Sequence, residues 1–129
     1  MAGQVRYETV TIISGAAVSN AITLQPGEHI VGVEVPAAWT AADLGVDVAR
    51  DGTNFIPVSD PARAAGQQHF RITSIAVNEA SIFLMPQTGI FYTQGGGALR
   101  LHSVATGASN ADVNQGADRI LWILISKDN

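Results

Sequence analysis

The octet Arg119 to Ser126, RILWILIS, restricts the possible folds of this chain more than any other stretch. Ile120, Trp122 and Leu124 alternate with Leu121, Ile123 and Ile125, so an extended strand here is apolar on both faces. One set can fill a core, and the other needs a second cover. No stretch has the 3.6-residue periodicity of an amphipathic helix, so the same chain supplies no helical layer. The cover is then a long loop or a neighbouring subunit. Three such side chains buried between subunits would contribute on the order of 5–8 kcal/mol before the costs of association.

A second stretch, Pro36 to Val58, has the pattern of a strand, a turn and a return. Leu44, Val46 and Val48 alternate with Gly45, Asp47 and Ala49, giving one apolar and one wetter face. Asp51-Gly52 tolerates the positive φ of a two-residue hairpin, and Thr53 to Val58 is expected to run back antiparallel. Upstream, Trp39 lies in a segment too short for a stable helix, and its ring is expected to cap one end of the core.

Further strands are expected over Val5–Ile13, Ala21–Leu24, His29–Val35, Phe70–Val77, Ser81–Met85 and Ala98–Val104, with a short extension over Ile90–Thr93. In the first, Val10 and Ile12 share a face opposite Tyr7, Thr9 and Thr11. Pro26-Gly27, Pro36 and Pro86 supply turns or stops. Ser59–Gln68, Gly95–Gly97 and Ala105–Ala117 are expected loops, the glycine run because ordering it costs so much backbone freedom. Ser14–Asn20 is small and flexible, a loop or the hinge of an arm. Valine and isoleucine number twelve each, against one lysine and four glutamates, a balance that favours strand over exposed helix. These features predict an all-β, antiparallel two-sheet sandwich of about eight or nine short strands. Jelly-roll-like connectivity is preferred, with an immunoglobulin-like order left open. The expected division is an N-terminal strand or arm over residues 1–20, which can contact neighbours, and a β-sandwich domain over 21–129.

The chemistry that composition allows is narrow. With 14% charged residues against 47% apolar, the surface is either uncharged polar or covered in an assembly. The net charge of −4 and singly scattered arginines offer no stripe for a phosphate backbone, so nucleic acid is not an expected partner. No apolar run reaches the roughly 18 residues of a membrane span, and the N-terminus lacks a signal-peptide layout, which predicts a product made and kept in the cytoplasm. There is no cysteine, hence no disulfide or thiolate chemistry.

His29, His69 and His102 form no metal-binding pair in sequence. Asp47, Asp51 and Asn54 surround one turn but lack the alternating ligands and closing glutamate of a calcium loop. There is no nucleophile elbow, and Gly95–Gly97 has no phosphate-binding context. Asp43, Asp47, Asp51 and Asp60 read better as solvated or edge-guarding carboxylates than as a hydrolytic pair. No catalytic, metal or cofactor-binding residue is therefore assigned, and no cofactor. Trp39, Phe91 and Tyr92 lie in or beside loops. They either cap the core or, if open and coplanar, form a sugar platform.

Three segments carry a resemblance: P-A-A-W-T-A-A-x-L with the following D-G-x-x-F, Ala98-Leu-Arg-Leu-His-Ser103, and Asn114-Gln-Gly-Ala-Asp-Arg-Ile-Leu121. In this order, over roughly Val35 to Ile125, they resemble a group of small structural proteins of tailed bacteriophages and related prophages. The resemblance implies a non-enzymatic virion component, a decoration or cement protein on the head. It would be made in the host cytoplasm and bound to the major capsid protein as a homo-oligomer, with a trimer favoured. Residues Gln4 to Asn20 are the expected reach to the capsid. The alternatives are a tail or baseplate adaptor and a receptor- or carbohydrate-binding sandwich.

Overall fold

The computed structural model describes residues 4–63, 69–73, 75–85, 97–107 and 110–127. Among the described residues, eight strands make up two antiparallel sheets: β1 (Gln4–Ile12), β2 (Glu28–Val35), β3 (Asp43–Ala49), β4 (Ile56–Pro57), β5 (Arg71–Ile72), β6 (Ser81–Leu84), β7 (Ala98–Val104) and β8 (Arg119–Lys127). The first sheet has the order β1-β8-β2-β6. In the second, β3 pairs with β7 along one edge and with β4 and then β5 along the other. Residues 17–22 run beside the free edge of β7, where Ile22 and Leu99 exchange backbone bonds of 2.9 Å and Ser19 N–H donates to Leu101 O. The chain thus crosses repeatedly between the sheets, the jelly-roll-like path of a β-sandwich.

The core lies between the sheets and follows period-two patterning. Val10 and Ile12 of β1, Ile30, Val33 and Val35 of β2, and Leu121, Ile123 and Ile125 of β8 face Leu44 and Val46 of β3 and Leu99 and Leu101 of β7, all buried. A register shift between Ile30 and Gly32 in the β2–β8 ladder is a bulge at Val31. It lets Ile30 and Val33 both point inward, where strict alternation of Val31, Val33 and Val35 would have faced Ile30 outward.

Several expected elements are shorter than their patterns suggest. The return from β3 is not a two-residue hairpin. Gly52 takes the positive φ, 84°, but the Asp51 carboxylate accepts N–H bonds from Thr53 (2.9 Å) and Asn54 (2.8 Å). These bonds hold the chain in the turn until β4. β4 spans only Ile56–Pro57, because Pro57 has no N–H to extend a ladder. Ala21–Leu24 makes one isolated bridge rather than a strand, and among the described residues of Phe70–Val77 the strand is Arg71–Ile72. Ile90–Thr93 and Gly95–Gly96 lie outside the described residues.

The N-terminal segment is part of the sandwich. β1 pairs with β8 from Gln4↔Lys127 to Ile12↔Arg119, and Gly15, Ala16, Ala17 and Ser19 bond to backbone near Gln115, Ser103 and Leu101. Residues 4–19 thus join the two sheets. Among the described residues there is no helix.

Candidate functional site

The three segments that carry the sequence resemblance meet at one end of the sandwich. Trp39 is buried in the core, and its indole N–H donates to the Ala42 carbonyl at 3.2 Å. The next residue, Thr40, is clasped by Gln115. Gln115 Oε1 accepts from Thr40 N–H (2.9 Å), while Nε2 donates to Thr40 O (3.2 Å) and to Ser103 Oγ (2.9 Å). Gly116 N–H and Arg119 Nη2 both donate to Thr40 Oγ1. A buried amide satisfied on both sides fixes a loop as firmly as a ladder does. The three segments therefore form a structural clasp, and Gln115 was not singled out in the sequence because an isolated glutamine has no pattern.

The second sheet carries an ionic cluster on the face turned away from the core. Arg71, its side chain fully buried, donates from Nη1 to Ala105 O (2.8 Å) and from Nη2 to Asn110 Oδ1 (2.8 Å), with Asp43 Oδ2 at 3.5 Å. Burial pushes the Asp43 carboxyl above the usual range, with Arg71 opposing. One position along, Asp47 receives Arg100 Nε at 3.0 Å, and the Arg100 guanidinium lies 4.2 Å from the Phe55 ring centroid. His102 Nδ1 is 3.1 Å from Asp47 Oδ1, and Nε2 is 2.6 Å from Asp112 Oδ1. Ionised carboxylates only accept, so both contacts are satisfied when the ring is an imidazolium. The hydrogen bond to Asp47 raises the His102 pKa against burial, and Asp112 adds to it. Burial works against the charge on Asp47, but the bonds from His102 and Arg100 outweigh it and hold its carboxyl low. His69, with its ring 6.3 Å from that of His102, is pushed down by burial and by the neighbouring charge.

This arrangement decides where the sequence candidates stand. His69 and His102 come together, but each of the carboxylates weighed for calcium or hydrolysis is already engaged: Asp43 by Arg71, Asp47 by Arg100 and His102, Asp51 by its own turn, and Asp60 by Ala62 N–H. Among the described residues, no group of three or more His, Asp or Glu side chains is arranged to hold a metal ion. Phe91 and Tyr92 lie outside the described residues, and Trp39 has no open face to stack a sugar.

The first sheet presents the opposite kind of outer face. Val5 (57% exposed) and Tyr7 (59%) on β1, Ile120 (54%) and Trp122 (43%) on β8, and Ile82 (57%) and Leu84 (78%) on β6 all point away from the core. Register aligns them across the sheet: Tyr7 opposite Leu124, Thr9 opposite Trp122, and Gly32 of β2 between Leu124 and Leu84. Tyr7 and Trp122 meet edge to face, with centroids 6.3 Å apart and planes at 78°. Gly32 lies between the outward side chains of β8 and β6, and Leu124 leans over it. A Cβ there would meet Phe83 O at 3.2 Å and Leu124 Cδ2 at 3.5 Å, so the position leaves little room for a side chain.

β1 is also the edge of that sheet. Thr11 turns its backbone outward, its N–H donating to Asn20 Oδ1 (2.8 Å) and its C=O accepting from Asn20 N–H. By strand alternation Val5, Tyr7 and Thr9 turn their N–H and C=O groups the same way, along the edge beyond Asn20. Below it, Glu28 receives Arg6 through two bonds of 2.7 and 2.9 Å. The bonds from Arg6, against burial and with Gln25 N–H assisting, lower its pKa to about 2. Comparison of the chain with protein-family models, with curated proteins and with solved structures finds no match in any of the three.

Proposed function

We propose that this chain is a non-enzymatic structural protein of a tailed-phage virion that binds the outer surface of the capsid as a homo-oligomer and stabilises it as a decoration or cement protein. The observation that carries the reading is the pairing of a predominantly apolar sheet face with the edge of β1. Both features serve contact with other protein, and the resemblance of the three clasp segments to phage structural proteins supplies the setting. Contact spread over area, rather than one reactive group, would oppose the outward stress on the capsid. The edge is the contact for the major capsid protein: a capsid segment adds to β1 over Val5 to Thr9 by backbone pairing.

The sugar-binding alternative asks for open, coplanar aromatic faces, whereas the exposed pair Tyr7 and Trp122 stands edge to face. The test is co-sedimentation of purified protein with expanded heads that lack it. Wild type is expected to pellet with heads. Thr9→Pro, which removes an outward N–H and leaves the β8 ladder in place, is expected to stay in the supernatant while remaining folded. Equal pelleting of both proteins would remove the edge from the reading, and failure of wild type to pellet would remove the capsid.

A further inference from the structure

We infer that the outer face of the β1-β8-β2-β6 sheet is where one copy of this chain packs against a second copy. The inference rests on the self-association in the proposed function and is independent of capsid contact. Three observations name the occupant. First, Val5, Tyr7, Ile82, Leu84, Ile120 and Trp122 together leave about 700 Å² open, close to the ~800 Å² per partner of a standard interface and above the ~300–600 Å² of the largest patch on a typical monomer. Second, Glu34 is the one charged side chain that the register places among them, so the face offers almost nothing for a partner of opposite charge to read. Third, the apolar row of Ile120, Trp122 and Leu124 on β8, with Leu124 leaning over Gly32, runs between exposed apolar side chains on both edge strands, so the face is apolar from β1 to β6 and can be laid on a copy of itself. Turned towards one another about a twofold axis, identical faces bury the same apolar side chains in both directions.

The first measurement is mass by light scattering behind a sizing column at about 100 μM protein, without heads. Wild type is expected at twice the 13.5 kDa chain mass. Leu84→Glu and Ile120→Lys, at opposite sides of the face, are each expected at the chain mass. Ile56→Glu, equally exposed but on β4 of the other sheet, is expected to keep the wild-type mass. A wild-type monomer overturns the proposal, as does an oligomer that both face variants leave intact. A second measurement needs no charged variant. The difference between wild-type and Trp122→Phe emission isolates Trp122, because Trp39 is buried in the core. That component is expected to be shielded from iodide, and quenching at the level of an open indole overturns the proposal. Head binding is read separately through Thr9→Pro, so loss of either contact leaves the other measurable.

Discussion

The two sheets share one core yet treat their outer faces in opposite ways. The outer face of β3 and β7 carries Asp43, Asp47, Arg100 and His102, residues that read as a solvent face, and it is covered by the chain's own loop after β7. The outer face of β1 and β8 carries Val5, Tyr7, Ile120 and Trp122, residues that read as core, and it is open. The difference teaches that polarity alone does not locate the surface. An ionic face can be closed when backbone carbonyls and an asparagine complete its hydrogen bonds, as Ala105, Gly107 and Asn110 do for Arg71. An apolar face stays open until another molecule covers it.

The sharpest way to break this contrast is Arg71→Ala. It strips Asp43 of its buried cation and leaves the Ala105 carbonyl unpaired, for an expected loss of about 3–5 kcal/mol. Thermal denaturation should show a midpoint lower by roughly 10–20 °C. A shift within a few degrees would mean that the cluster is solvated and the two faces differ less than described.

Next in size is His102→Gln, which can keep only one of the two carboxylate contacts; Asp47 retains Arg100 and Asp112 is largely exposed, so the expected loss is about 1.5 kcal/mol. His102 has a raised folded pKa, so its contribution is complete below the ordinary imidazole value of 6.5 and is lost as pH rises through the folded value. His69, with a lowered pKa, works in the opposite sense, so the comparison is the difference between wild type and variant in urea at pH 5.5 and 8.5. That difference is expected to shrink at the higher pH.

A smaller effect is expected at the rim of the first sheet. Glu28→Gln should cost on the order of 1 kcal/mol, since Arg6 is partly exposed and screened. The Glu28 pKa is lowered, so its contribution is present above 4.5 and lost as pH falls towards about 2. Acid unfolding curves of wild type and variant should converge over that interval.

The smallest change is Leu84→Thr on the open face. In dilute protein it should alter stability by less than about 0.5 kcal/mol, because the side chain is 78% exposed in the single chain. A large loss in the dilute monomer would show that this face is covered from within.

Much of this molecule was legible in its sequence, because alternation, prolines and the absence of helical periodicity are local signals. They identified an all-β sandwich, the strands that became β1, β2, β3, β7 and β8, and two apolar sets on the last strand, of which the structure turns Leu121, Ile123 and Ile125 inward. They also raised the expectation that whichever set stayed outside would need a cover. Local signals failed where a long-range partner settled the matter. Val31 became a bulge because β8 required Ile30 and Val33 on one side, and β4 and β5 were cut short where they share one edge of β3. Gln115 became a clasp because Thr40 and Ser103 arrive beside it from 75 and 12 residues away.

The sequence by itself determined the fold class and the apolar character of the terminal strand, since period-two patterning needs no distant residue to be read. Only the tertiary structure decided which faces met water. Closing the ionic face required Arg71, His102 and Asp112 to converge from separate segments, and the open face was left by a sheet order that put β1 and β6 at its edges. Burial is a property of what comes to lie on top of a residue, and that is fixed by packing rather than by neighbours in the chain.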